Sequence, residues 1–282
     1  MNTIITFLEN KKAISFKSFI DLTKNRFTLN KKYNVLMILL FSFLGFIMTN
    51  NSTAQTKTSN NNLWFHYVGK NKITDKISFT LEATMRYANG LSEKQQYFIR
   101  PSIDYQFTKK FNGSIGYSHY NTYVYGNPSL NKTDIPENHF WIQGTFVQTK
   151  GDFKFTHRLR DEFRYVGIAL KKGDEYVIDH YDYRNRLRYM FLVNYTLIEK
   201  ADKVKLFGIL GDEAFINLGS NAGKTLFNQN RVIGGLGYNI DKNQQIQLSY
   251  IHQNIWNFTN TFHESNPTLR ISYITNLDFT KK

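Results

Sequence analysis

The sequence predicts an all-β fold: an antiparallel up-and-down transmembrane β-barrel of 10 to 12 strands that follows an N-terminal signal segment. Three observations carry that expectation. Apolar and polar residues alternate with a period of two through most of residues 62–279, the alternating runs are mostly 13 to 15 residues long, and the connections between them alternate between short and long. Successive side chains on a strand point to opposite faces, so this period marks a strand with one apolar and one polar side, and no helical period fits it.

The first element is a targeting segment. Val35–Met48 is the only long apolar run; Lys31 and Lys32 stand before it and the small polar stretch Thr49–Gln55 follows. At 14 residues it falls short of the ~20 that a membrane helix needs, and its basic flank, apolar middle and small-residue exit are those of a secretory signal. Residues 1–54 are therefore assigned to a leader and signal peptide with apolar core 35–48, and residues 55–282 to a single barrel domain. The 36 Lys+Arg and 22 Asp+Glu of the 282 residues give a net charge of +14; residues 1–54 hold seven of the former and two of the latter, so cleavage near Ala54 leaves +9. An aromatic content of 16% excludes a disordered or collagen-like chain, and the absence of cysteine excludes a disulfide scaffold and a thiolate-held metal. A mature chain with no later apolar helix crosses a bilayer only as a closed barrel, which makes the bacterial outer membrane the expected location and its lipid the expected surroundings.

The strands follow in order. Ile77–Tyr87 places an apolar or aromatic residue at every odd position and a polar one at every even position, and the pattern recurs through 97–107, 153–165 and 181–195. Strands are expected near 62–70, 76–88, 94–108, 111–125, 137–149, 152–166, 180–196, 202–216, 226–240, 244–257 and 262–279. Most exceed the five or six residues usual in globular sheets and are long enough to cross a bilayer at a tilt. Short connections at 71–75, 109–110, 150–151, 197–201 and 241–243 face longer ones at 127–136, 167–179, 217–225 and 258–261, as in barrels with periplasmic turns and extracellular loops. Eleven runs are visible, whereas antiparallel closure needs an even number, so a short extra strand within 55–61 or one misplaced boundary is expected.

The polar faces supply the candidate site. By parity Arg86, Arg100, Arg158, Arg160, Arg164, Arg184, Arg186, Arg188 and Arg231 share a side with Glu82, Asp104, Glu162, Asp182 and Glu213. A soluble barrel or sandwich could alternate in the same way with its apolar face inward. Nine arginines and five acids opposite long Phe/Tyr/Ile/Leu stripes suit a wet lumen inside a lipid-facing wall better. Because a barrel of ~8 strands already has little more than side-chain room, the plain expectation is an Arg–carboxylate network that braces the wall. The sharper one is a narrow pathway or binding barrel for a small anionic solute, since rings of Arg select anions.

Over nearly all of residues 62–279 the chain also resembles DUF2490, a domain-of-unknown-function family of Gram-negative, Bacteroidetes-type proteins. The resemblance is carried by Trp64, by Glu82 with Arg86, and by the pairs Arg100-Pro101 and Gly116-Tyr117. It continues in the stretches His157–Glu162 and Arg184–Tyr189, in Glu213 with Asn217, and in Asn228–Arg231, Gly235–Tyr238 and His263. It implies an outer-membrane barrel and supplies no activity, ligand or catalytic residues.

Other constellations are weaker. His263-Glu264-Ser265-Asn266 sets His263 and Ser265 on one face of a strand, the arrangement a serine hydrolase uses, and outer-membrane lipid hydrolases are similar here. Pro267 departs from that pattern and no third member is apparent. A lipid-acting hydrolase is thus the enzymatic alternative, and a surface protein acting through loops 127–136 and 167–179 a third. The histidines His66, His119, His139, His157, His180, His252 and His263 show no metal-ligand spacing. Gly234–Gly237 lies in a strand pattern with no helix after it, unlike a phosphate-binding loop, and is expected to relieve wall curvature. No cofactor, metal or nucleic-acid partner is expected, because the arginines lie on alternating strands and not in a patch or recognition helix.

Overall fold

Alternation forces the strands, and twelve of them form one sheet in the computed structural model, which describes residues 56–200 and 203–280. The signal peptide expected over residues 1–54 lies outside the described residues. The strands are β1 (Thr56–Thr58), β2 (Asn62–Lys72), β3 (Ile77–Ala88), β4 (Glu93–Gln106), β5 (Phe111–Thr122) and β6 (Ile135–Lys150). They continue as β7 (Phe153–Lys172), β8 (Glu175–Lys200), β9 (Lys203–Leu218), β10 (Phe227–Asn239), β11 (Gln244–Trp256) and β12 (Phe262–Asp278). The eleven strands from β2 to β12 follow the expected boundaries closely and form an up-and-down meander in which each pairs antiparallel with the next.

Closure departs from the expectation of an even count. β12 pairs with β2 in parallel, from Thr268 opposite Asn62 to Asp278 opposite Lys72, so an odd number of strands closes the wall at one parallel seam. The short strand sought in residues 55–61 exists as β1, also parallel to β12, with Thr56 opposite Phe262 and Thr58 opposite Glu264. Both pairings keep the same offset along β12, so β1 prolongs β2 along one edge. The gap between them falls level with Pro267, which brings no N–H to the ladder. Side chains cover the break: Ser59 Oγ donates to the Ser265 carbonyl at 2.6 Å, and the Asn60 amide donates to Asn266 Oδ1 at 2.8 Å.

A second departure is the stretch 167–179, expected as an open loop. Ile168, Leu170, Tyr176 and Ile178 keep the alternation going, and β7 and β8 stay paired to Lys172 opposite Glu175, with a register shift after Ile168. β6 leaves β7 at Val166, and β9 reaches β8 only from Asn185. Residues 167–184 therefore form a two-stranded hairpin that stands beyond the wall. Near its tip Lys172 Nζ bonds Asp179 at 3.0 Å and, with His180 beside it, holds that carboxyl below the usual carboxylate range.

The faces sort as the sequence parity requires. Phe65, Met85, Ile99, Ile115, Phe140, Leu159, Tyr195, Leu210, Leu236, Leu248 and Leu269, on β2 to β12 in turn, all point outward and are exposed. The inward face holds the buried polar and charged residues, but it is not purely polar. Trp64, Phe207, Ile209, Ile233 and Ile251 cluster inside the barrel with Leu192 and Val204, an apolar packing that the sequence reading assigned to neither face. Inward glycines make room for inward rings: a Cβ at Gly237 would collide with the Phe207 ring, and one at Gly116 with the Trp141 indole. The Gly234–Gly237 run is thus explained in part by side-chain packing, with Gly235 also pressed against the backbone of Leu248 and Ser249.

Candidate functional site

Four glutamates on four strands organise the interior. Glu162 of β7 is fully buried and accepts from Arg186 Nε and Nη2 at 2.9 and 2.6 Å and from Arg188 Nη1 at 2.6 Å. Glu213 of β9 accepts on Oε1 from Arg158 at 2.5 Å and from Arg188 Nη2 at 2.7 Å, with Arg231 3.5 Å from its other oxygen. Glu82 of β3 holds Arg100 at 2.8 Å and His66 at 3.0 Å. Glu137 of β6 holds Arg164 at 2.8 Å and His139 at 2.9 Å. A buried charge is tolerated where it is paired and hydrogen-bonded, and these bonds supply that pairing mostly between neighbouring strands of the wall.

Aromatic rings hold the guanidinium planes. Arg160 lies over Trp141 at 4.2 Å, Arg188 over Phe215 at 4.5 Å and Arg86 over Trp64 at 4.1 Å. The rings are fixed in turn: Trp64 Nε1 donates to Gln95 at 2.9 Å and Trp141 Nε1 to Ser118 Oγ at 2.9 Å. Arg100 reaches Ser118 Oγ at 3.0 Å and also donates to the Tyr120 hydroxyl.

These side chains surround a cavity of about 210 Å³. Its lining includes Arg86, Arg100, Arg158, Arg164, Arg186, Arg188, Arg231 and Arg270, eight guanidiniums, against the three carboxylates Glu82, Glu137 and Glu213. Tyr125, from the segment between β5 and β6, folds into the same cavity, where its hydroxyl lies 3.3 Å from Glu264 Oε2.

The residues named from sequence do not all meet there. Arg160 and Glu162 are buried beside the cavity. Asp104 faces inward but binds Thr80 and Ser114 hydroxyls at 2.6 and 2.5 Å and no arginine. Asp182 and Arg184 belong to the protruding hairpin and its base; Asp182 is half-buried and lies 3.7 Å from Arg184, which sits over Phe258. Sequence reasoning missed Glu137, His139 and Arg270, although parity within 137–149 and 262–279 places each on the inward side. It also missed the inward tryptophans, because an aromatic residue in a barrel strand reads as lipid-facing by default.

His263 and Ser265 each have another partner. His263 stacks on Trp256 at 4.8 Å and approaches Asn254 Oδ1 at 3.2 Å, while Ser265 Oγ lies 3.2 Å from Nε2 of His252. Among the described residues no group of three or more His, Asp or Glu has the arrangement of a metal site.

A closed barrel whose interior is a cationic, carboxylate-braced cavity defines the class of protein. Residues 61–264 match the family described as Protein of unknown function (DUF2490), and the chain belongs to that family. No curated protein matches the chain.

Proposed function

We propose that the mature protein lies in the bacterial outer membrane as a narrow barrel that takes a small anionic solute into its lumen. The observation that carries this reading is the surplus of charge at one place, eight arginines against three glutamates around a cavity of about 210 Å³. Bracing alone would be served by equal numbers, whereas an excess of guanidinium in a confined space of low dielectric favours anions and repels cations. Location is supported by the outward faces: soluble monomers rarely expose contiguous apolar patches beyond a few hundred Å², and here every wall strand contributes an exposed row. In this reading the short-turn rim faces the periplasm and the 167–184 hairpin and longer loops face outward.

The test is a recording in planar lipid together with calorimetric titration of phosphate, sulfate, acetate and chloride into the purified protein. Anion-selective conductance or anion binding is expected. Cation preference, or neither conductance nor binding, defeats the reading and leaves a bracing network.

The contact between Ser265 Oγ and His252 Nε2 favours a second reading, a lipid-acting hydrolase on the outer wall, with His252 in the place expected of His263. No carboxylate orients either imidazole: His263 is held by Asn254, and His252 bonds only Ser265 among the described residues. Lipid deacylation that is lost in Ser265→Ala and in His252→Ala would establish it; absence of activity in the unsubstituted protein removes it.

A further inference from the structure

Within the cavity the glutamates are unevenly shared, and two arginines are left out. The guanidinium of Arg270 on β12 makes no ion pair and no hydrogen bond with any described residue, and its Nε is buried without a partner. Arg86 of β3 donates only to the neutral Gln96, at 2.5 Å, and its Nε is also buried and unpartnered. The two flank one residue in register: Trp64 of β2 stands opposite Arg86 on one side and opposite Arg270, across the parallel seam, on the other. Arg231 completes the group from β10, its guanidinium 5.1 Å from the Trp64 ring centroid; it lies 3.5 Å from Glu213 and donates from Nε and Nη2 to the side-chain oxygen of the neutral Gln229 at 2.9 Å.

A buried guanidinium without an acidic partner is much less favourable than an apolar residue of similar volume, so two such groups on the strands either side of one indole are poor structural bracing. They are good ligand chemistry. A guanidinium stacked on a ring keeps its in-plane N–H donors free, and forks of this kind match phosphate and sulfate oxygens in bidentate fashion. Neighbouring strands are about 4.8 Å apart, so Arg86 and Arg270 stand two strand spacings from each other, with Trp64 between them. A carboxylate offers two oxygens and a single charge. An anion of two charges with three or more oxygens can engage several.

We infer that Arg86, Arg270 and Arg231 around Trp64 form a binding site for a doubly charged tetrahedral oxyanion, a phosphate or sulfate group, either free or as a monoester small enough for the cavity. The inference rests on the anion-binding reading above and gives that reading a place and a ligand class. The other arginines keep the site cationic while remaining tied to their glutamates.

The experiment is titration of inorganic phosphate, with sulfate, acetate and chloride for comparison, into the full mature protein in detergent micelles. Phosphate and sulfate are expected to bind more tightly than acetate or chloride, and Arg86→Gln and Arg270→Gln each to weaken phosphate by about tenfold or more, the worth of one charge-assisted bond. Arg184→Gln, at the hairpin base, is expected to leave it unchanged. If anions bind but both cavity variants bind phosphate as before, or if acetate binds as tightly as phosphate, this site is wrong and the broader reading survives. If no anion binds, both fall. Should the glutamine variants not fold, the emission of Trp64 decides: phosphate is expected to change tryptophan fluorescence in the unsubstituted protein and not in Trp64→Phe, and an undiminished change in Trp64→Phe overturns the inference.

Discussion

Arg188 donates from Nη1 to Glu162 at 2.6 Å and, from its other terminal nitrogen, to Glu213 at 2.7 Å, so one guanidinium on β8 joins carboxylates on β7 and β9. Removing Glu162 strands Arg186 in a buried place and leaves Arg188 with Glu213 alone. Glu162→Ala is expected to lose about 3–5 kcal/mol of stability, the cost typical of breaking a buried pair from one side. Urea unfolding in detergent measures it, and a loss below about 1 kcal/mol would mean that the cluster does not brace the wall.

The outward rows test the membrane location proposed above. Leu248, half exposed in the middle of β11, is expected to cost about 2–4 kcal/mol when replaced by arginine if it faces hydrocarbon near the bilayer centre. Folding titrations into lipid vesicles give the number. A value within about 0.5 kcal/mol of the unsubstituted protein, as for a solvated surface position, would remove the protein from the membrane.

Tyr125 fills part of the cavity from the long-loop side and is held there through Glu264. Tyr125→Ala is expected to raise anion conductance several-fold in planar lipid without reversing its selectivity. Unchanged conductance would show that the narrowest point lies elsewhere, for example at the apolar cluster of Phe207, Ile209 and Ile233.

The hairpin beyond the wall pairs only with itself. Replacing residues 168–182 by a short turn is therefore expected to leave the urea midpoint of the barrel unchanged, since no neighbouring strand loses a partner. A large drop in that midpoint would mean the hairpin packs on the barrel in a way that strand pairing does not reveal.

Much of this was legible in the sequence, and for a physical reason. A strand fixes side-chain direction by parity alone, so the run Arg184, Arg186, Arg188 declared a common face before any partner was known. The strand positions followed equally well, because in a meander each depends only on its own alternation. Closure did not. Whether β12 meets β2 in parallel depends on the total count, a property of the whole chain that no local pattern records. The break at residues 59–61 likewise needs Pro267, some two hundred positions away, to be intelligible. Within the site, parity could gather the arginines but could not distribute them. That Arg188 holds two glutamates while Arg270 holds none depends on which side chains the strands beside each happen to bring alongside. Ring placement was hidden too, since Trp141 needs the missing side chain of Gly116 on the next strand.

The odd strand number has a directional consequence. Thr56 lies level with Phe262, beside the long loops, while Asp278 ends its ladder beside the tight turns, next to Lys72. In a meander with an even number of strands both extremities return to one rim of the barrel; here they are delivered to opposite rims. If the barrel spans a membrane as proposed, a peptide tag spliced ahead of Thr56 and another placed behind Asp278 would answer to antibodies from opposite sides of it, so the chain's orientation is readable from its two extremities without touching a single loop.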